Sequence, residues 1–247
     1  MINAMTDLKQ KKATTFAPVP PPAVNEKDVT AVPEYLTSVY GRRYFHPWLT
    51  ALFDNEKIAV PATCFLAGKL TKAVTNEIIE GDDVLQLGVA SGGFEREVAS
   101  KMNGKGTYCI EDVSAAHINA MKPRVSPWLN TVIKERDFTV SDNKRYDVVI
   151  GCFTLHELPD TRKRAALKRA FNALKPTGKM IFVDYGAPKR FHPLKPVLKT
   201  FNRLFEPFAE SLWYNEIESF APKTDKLIWA KKTYFGDLYQ CVIAQRR

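Results

Sequence analysis

The stretch Val84-Leu85-Gln86-Leu87-Gly88-Val89-Ala90-Ser91-Gly92-Gly93-Phe94 passes from a short apolar run into a turn of small residues. A β-prone run closed by Gly and Ala and followed by a helical pattern over Glu95–Met102 reads as a strand, a tight turn and a helix. Small residues in such a turn let the main chain approach a bound nucleotide-like group closely. A plain strand-to-helix connection is the competing reading, and the turn by itself does not choose between the two.

Downstream, β-rich runs alternate with helical patterns. After Val84–Leu87 come strand candidates at Thr107–Glu111, Thr131–Glu135, Tyr146–Phe153 and Lys179–Asp184, the last entered through the turn Lys175-Pro176-Thr177-Gly178. Helices are expected from Ala115 to Met121 and from Thr161 to Leu174, and Leu227–Thr233 with Leu238–Ala244 form a hairpin around Phe235-Gly236-Asp237. The pattern predicts an α/β fold with a seven-stranded, mainly parallel sheet, helices on both faces and an antiparallel C-terminal hairpin. By analogy of fold, that is the Rossmann-like architecture of class I S-adenosylmethionine (AdoMet)-dependent methyltransferases. The expected organisation is a disordered tail over 1–30, an N-terminal helical cover over 31–80, and an AdoMet-binding domain over 81–247 with a substrate-cover insertion at 188–222. Tyr35, Tyr40, Tyr44, Phe45 and Trp48 furnish the N-terminal cover.

The 247 residues suit one medium domain with appendages. Lys and Arg exceed Asp and Glu by 36 to 27, and a formal charge of +9 favours anionic surfaces. No nucleic-acid-reading motif accompanies that charge, which leaves phospholipid headgroups as the expected anionic partner. Cys64, Cys109, Cys152 and Cys241 lack metal or redox spacing and read as reduced core residues. Neither a bilayer-spanning run nor a secretory signal is legible, so the expected location is cytoplasmic, with peripheral contact at the inner membrane surface.

Candidate cofactor residues fall at regular intervals. AdoMet loops usually read acidic-x-Gly-x-Gly-x-Gly, whereas here Gln86 holds the acidic position, Gly88 and Gly92 the outer glycines and Ala90 the middle one. Asp112, twenty-four positions beyond Gly88, ends the second strand where a carboxylate can accept both ribose hydroxyls. Helix capping is its alternative role. Asp137 and Phe138 follow the third strand, where an Asp can face the adenine amino group and an aromatic ring can pack on the base. Taken in register, these features point to AdoMet.

At the carboxyl edge of the fourth strand stand His156 and Glu157, and at that of the fifth Asp184 and Tyr185. Open parallel sheets bind their ligands along this edge. A His-Glu pair there can deprotonate a phenol, polarise a carbonyl or contribute to a divalent metal site. In the insertion, Leu194, Val197, Leu198, Phe201, Leu204, Phe205 and Phe208 recur at helical intervals, with Lys195, Lys199 and Arg203 on the other face. This is either a helix that covers an apolar substrate and touches an anionic membrane, or one packed onto the core.

From about Pro33 to the C-terminus the chain resembles the RquA family of rhodoquinone biosynthesis proteins. The resemblance lies in Val32-Pro33-Glu34-Tyr35-Leu36, Tyr44-Phe45-His46-Pro47, Leu155-His156-Glu157 and Val183-Asp184-Tyr185. It continues in His192-Pro193-Leu194-Lys195-Pro196, Glu206-Pro207-Phe208-Ala209, Leu212-Trp213 and Lys232-Thr233-Tyr234-Phe235-Gly236-Asp237-Leu238-Tyr239-Gln240. The resemblance implies AdoMet as a substrate and ubiquinone or a related prenylated quinone as partner. A ring methoxy group would be replaced by an amino group drawn from AdoMet, with Mn2+ assisting and His156 and Glu157 as candidate ligands. The family's loop carries a Val-Tyr-Gly-Asp run where this chain has Ala90-Ser91-Gly92-Gly93, although Gln86 matches. On this reading Tyr40 lies near the sulfonium, whose charge an aromatic face stabilises by about 0.5–2 kcal/mol. An ordinary C- or O-methyltransferase acting on a quinol or phenol is the alternative, and a non-catalytic quinone- or AdoMet-binding protein is the third possibility.

Overall fold

The computed structural model describes residues 32–40, 66–90, 92–141, 143 and 145–247. The expected tail, the aromatic residues Tyr44, Phe45 and Trp48, the motif Tyr44-Phe45-His46-Pro47, Cys64 and Ser91 lie outside the described residues.

Seven strands form one sheet: β1 Val84–Leu87, β2 Tyr108–Asp112, β3 Thr131–Glu135, β4 Tyr146–Cys152, β5 Leu174–Tyr185, β6 Leu227–Tyr234 and β7 Tyr239–Arg246. Their order is β3-β2-β1-β4-β5-β7-β6, with β7 antiparallel to both its neighbours and the other pairs parallel. The predicted α/β fold, a mainly parallel sheet closed by an antiparallel hairpin, is the fold observed. The topology reverses at β1 and β4, which opens a crevice at their carboxyl ends.

Helices α1 (Ala67–Thr75), α2 (Phe94–Met102), α3 (Ala115–Val125), α4 (Asp160–Ala173), α5 (Lys195–Phe205) and the single turn α6 (Ser211–Tyr214) complete the described elements with a π-helical turn at Leu36–Tyr40 and 3-10 turns at Leu155–Glu157 and Ile217–Phe220. Alternation along β1 sends Val84 to the face covered by α1, α2 and α3, and Leu85 and Leu87 to the face covered by α4 and the end of the insertion. Both faces are buried, so β1, β2 and β4 read as apolar runs. Gln86 shares the Val84 face, and its polar amide is fully buried there.

Two boundaries differ from expectation by more than two residues. The predicted turn Lys175–Gly178 lies inside β5: pairing begins at Tyr146↔Leu174 and resumes at Val148↔Lys179, leaving an irregularity in between. Lys175 fixes it by placing its ammonium 2.9 Å from Asp83 and 2.7 Å from Asp147. Helix α3 continues past Met121 through Pro123, because Val125 is buried in the core and anchors the additional turn.

The insertion is tied down at two points. Lys163 is fully buried, and its ammonium donates to Leu158 O, Phe208 O and Ser211 Oγ while pairing with Asp160. At the other end, His192 packs on Gly236, where a Cβ would come within 2.6 Å of its ring, and its Nε2 lies 3.0 Å from Phe235 O. The late motifs around His192 and Phe235-Gly236-Asp237 are therefore the two sides of one joint.

Candidate functional site

The β1 loop is held by buried side chains acting on its main chain. Gly88 has φ +81°, and a Cβ there would lie 3.2 Å from Thr154 and 3.6 Å from the Phe138 ring. Val89 N–H donates to Asp112 Oδ2 at 2.8 Å, and Ala90 N–H donates to Glu95 Oε1 at 2.6 Å. Arg124 reaches Glu95 Oε2 at 3.0 Å and Ala90 O at 3.3 Å. Gly92 and Gly93, both at positive φ, lead into α2, whose N-terminal end favours an anionic group.

This network explains Gln86. Its amide nitrogen donates to Gly88 O and to Glu95 Oε1, each at 2.9 Å, and its carbonyl accepts from Tyr108 Oη. A carboxylate at 86 has no N–H to donate and would face the Glu95 carboxylate. The negative charge that related loops carry on the strand is supplied here from the following helix. Burial pushes the Glu95 pKa up, against the opposing pull of the Arg124 guanidinium and of its hydrogen bonds to Ala90 and Gln86. Glu95 and Arg124 were not among the sequence candidates. Glu95 is nevertheless an acid inside an apolar helix face, next to Phe94 and Val98, and that is the signal by which it could have been found.

The other cofactor candidates border the same crevice. Asp112 is buried at the end of β2, with Oδ1 accepting from Ser114 N–H at 2.7 Å and Oδ2 holding Val89. Each carboxylate oxygen has a second acceptor site. Asp137 accepts from the Thr139 amide at 2.9 Å and hydroxyl at 2.7 Å and pairs with Arg162, so its carboxylate is engaged by the protein. Phe138 is buried against Gly88. Gly88 is thus closely covered by Thr154 and the Phe138 ring, and a side chain there would crowd Thr154.

A second cluster occupies the ends of β4 and β5. His156 Nδ1 lies 3.1 Å from Asp184 Oδ1, while Asp184 Oδ2 accepts from the amides of Leu155 at 2.7 Å and His156 at 3.2 Å. Asp184 thus orients the ring and the turn that carries it. Burial opposes charge on His156, but the Asp184 carboxylate, its hydrogen bond and the more distant Glu157 and Glu206 outweigh it and raise the pKa to about 9. The imidazole meets Tyr185 edge-on at 5.0 Å and Phe153 at 6.1 Å, and Tyr185 stacks on Tyr239 at 5.7 Å. Phe153 has φ +53°, a costly conformation for a non-glycine residue. Phe153 and Tyr239 escaped the sequence reading because bulky aromatics at strand ends look like ordinary core.

Tyr40 closes the cluster from the N-terminal side. Its hydroxyl donates to Glu157 O at 3.3 Å and Glu206 Oε2 at 3.2 Å, and its ring packs near Phe208. Burial, and then the carboxylates of Glu206 and Glu157, raise its pKa. The fold thus brings His156, Glu157, Asp184, Tyr185 and Tyr40 to one end of the crevice and Gln86, Gly88, Ala90, Gly92, Asp112 and Phe138 to the other. Among the described residues no group of three or more His, Cys, Asp or Glu side chains could hold a metal, and His156 directs Nδ1 at Asp184.

Residues 85–180 match the family model described as a methyltransferase domain. Comparison with curated protein sequences gives no match. Among solved structures, an O-methyltransferase family protein from Burkholderia thailandensis superposes with a TM-score of 0.60 at 13% identity, covering 84% of this chain and 62% of that one. Human N-acetylserotonin methyltransferase in complex with AdoMet gives 0.58 at 17% identity, over 87% of this chain and 60% of that one. The N-methyltransferase NodS from Bradyrhizobium japonicum, bound to S-adenosyl-L-homocysteine, gives 0.52 at 17% identity, over 79% and 90%. The chain spans about three-fifths of the length of the first two. The sheet order, together with the match over residues 85–180, gives this chain the Rossmann-like fold of the class I AdoMet-dependent methyltransferases.

Proposed function

We propose that this chain is an AdoMet-dependent transferase acting on a prenylated quinone, exchanging a ring methoxy group for nitrogen from AdoMet. The observation that carries this reading is the His156–Asp184 pair, enclosed by Phe153, Tyr185 and Tyr239 beside the β1 loop. Aromatic walls suit a flat ring. With a pKa of about 9 the imidazole is protonated at neutral pH and can donate to a quinone carbonyl, drawing electrons from the ring carbon that a nucleophile attacks. In the displacement the ring C–N bond forms and the C–O bond to methoxy breaks, leaving a secondary amine still joined to AdoMet. Tautomerisation to the quinol imine, with the quinone ring taking up the two electrons, and hydrolysis by water then break the N–Cα bond and release the aminated ring and a 2-oxo acid. The proton lost by nitrogen balances the one gained by departing methanol, and His156 is placed to relay it. Holding amine and ring carbon together supplies roughly 7–11 kcal/mol of the acceleration.

A second reading is favoured by the loop itself, where Ala90-Ser91-Gly92-Gly93 stands in place of the Val-Tyr-Gly-Asp run. In that case the S–CH3 bond breaks, a methyl group joins a quinol oxygen or ring carbon, and neutral His156 takes the displaced proton. Incubation with AdoMet and ubiquinone or ubiquinol, followed by mass spectrometry of lipid and nucleoside products, separates the two. An aminoquinone supports the first; S-adenosylhomocysteine with a methylated quinol establishes the second and removes the first. Calorimetry showing no binding of AdoMet or of S-adenosylhomocysteine would reject both in favour of a non-catalytic protein. Running the assay with and without Mn2+ tests the metal dependence implied by the resemblance.

A further inference from the structure

Helix α5 packs inward through Leu198 and Asn202 yet leaves a second apolar surface exposed. Its only fully buried residue is Asn202, while Val197, Phe201 and Leu204 are 65%, 43% and 67% exposed. These three follow i, i+4, i+7 spacing and make one continuous apolar strip. Lys199 and Arg203, also exposed, form a second strip along the same helix. Just before the helix, Phe191 is 87% exposed with the Arg190 guanidinium 5.4 Å above its ring. An open cleft of about 520 Å³ lies among Arg190, Phe191, Lys195, Pro196 and Lys199.

Charge identifies what covers this surface. Residues 188–205 contain five cations, Lys189, Arg190, Lys195, Lys199 and Arg203, and no Asp or Glu. A contiguous apolar strip rarely stays exposed unless something binds it. An anionic bilayer suits this surface, since the apolar side chains sink into the headgroup and acyl boundary, Arg190 beside Phe191 meets lipid phosphates, and the cations on the outer face add long-range attraction to the anionic surface. Among the described residues no helix is long and apolar enough to cross a membrane, so contact through this face is interfacial.

We propose that α5 and the Lys189–Phe191 segment form an interfacial docking surface for anionic phospholipid, with Val197, Phe201, Leu204 and Phe191 inserted, Arg190 on headgroup phosphates and the cations on the outer face adding long-range attraction. This is independent of which group the enzyme transfers. It also connects with the site: Glu206, which follows α5 directly, accepts the hydrogen bond from Tyr40, so the docking helix ends at the acceptor cluster.

The test is flotation of the full chain with phosphatidylcholine vesicles and with vesicles of equal parts phosphatidylcholine and phosphatidylglycerol. Wild type is expected to float with the mixed vesicles and not with phosphatidylcholine alone, and to be released by salt. Lys199→Glu with Arg203→Glu is expected to weaken binding by about fivefold or more per cation. Phe201→Glu with Leu204→Glu is expected to abolish it even at low salt. Unchanged circular dichroism and thermal unfolding show that the variants fold; Phe201→Ser with Leu204→Ser replaces the Glu pair if they do not. Failure of wild type to float with the mixed vesicles overturns the proposal whatever the variants do, as does flotation that neither pair alters. A dimer that the Phe201/Leu204 variant dissociates, without vesicle binding by either protein, would assign the face to a second copy of the chain.

Discussion

At the β1 loop, buried side chains hold main-chain atoms: Asp112 takes the amide of Val89, Glu95 that of Ala90, and Arg124 the carbonyl of Ala90. At the ends of β4 and β5, side chains mostly engage one another: His156 with Asp184, Tyr40 with Glu206, and Tyr185 with Tyr239. The first arrangement fixes a shape before any ligand arrives. The second fixes protonation and ring orientation, and it draws its parts from the π-helical turn at Leu36–Tyr40, β4, β5, β7 and the residue after α5. Damage to the loop is therefore expected in stability and AdoMet affinity, and damage to the second cluster in turnover and pH dependence.

Replacing His156 gives the largest expected effect. His156→Asn removes the proton-relaying nitrogen at the acceptor end, and turnover is expected to fall by about 10²–10⁴-fold. AdoMet affinity, measured by calorimetry, should stay within about threefold because no loop contact is lost. A large loss of AdoMet affinity with turnover preserved would reverse the assignment of the two ends.

Next is the exchange of acid and amide in the loop. Gln86→Glu sets a second carboxylate against buried Glu95, and Glu95→Gln leaves Arg124 without its buried partner. Breaking a buried pair costs about 3–5 kcal/mol, so each single variant should unfold at a clearly lower temperature. The double variant Gln86→Glu with Glu95→Gln restores one acid and one amide. It is expected to recover much of the loss in thermal melts, and no recovery would show that position, and not only charge, matters.

Gly88→Ala carries a smaller penalty. The residue sits at φ +81°, and an added methyl group meets Thr154 Cγ2 and Oγ1 at 3.2 Å. Thr154 cannot simply turn away, because its hydroxyl donates to Leu87 O at 2.8 Å. Left-handed backbone costs a side-chain-bearing residue about 1–2 kcal/mol before the contact is counted. A raised KM for AdoMet with near-normal turnover at saturation is expected. Thr154→Ser, which removes Cγ2 and keeps the hydroxyl, should recover part of the affinity.

The strands were legible because each is a β-prone run buried on both faces, and β1 and β3 fall at the residues the pattern marks. Boundaries slipped where long-range contacts decide them, as with Lys175 reaching Asp83 and Asp147. For the site, spacing from the glycine turn located Asp112 and Phe138, and the carboxyl-edge rule located His156 and Asp184. No roles were assigned to Glu95, Arg124, Phe153, Tyr239 and Glu206 from the sequence because those roles depend on which distant side chain faces them. The odd Gln86 became intelligible only with Glu95 in view.

Asp184→Asn separates the two proposed reactions by the direction of their pH dependence. The Asp184 carboxylate keeps the folded-state pKa of His156 at about 9, above the ordinary value near 6.5. A raised pKa means that the pair's stabilisation is full below about pH 6.5 and is lost as pH climbs through about 9. The substituted amide keeps an oxygen that can accept from the main-chain N–H groups of Leu155 and His156, so the fold should persist while the His156 pKa falls toward the ordinary value. If protonated His156 polarises a quinone carbonyl, wild-type turnover holds to about pH 9 and then declines. In the variant that decline moves to lower pH, because burial then acts on the imidazole with much less opposition. If neutral His156 is instead the base for methyl transfer, the wild-type rate rises toward pH 9 and the variant reaches its plateau earlier. The direction in which the pH–rate limb runs therefore identifies the protonation state that works, and the displacement of that limb by Asp184→Asn ties it to this pair.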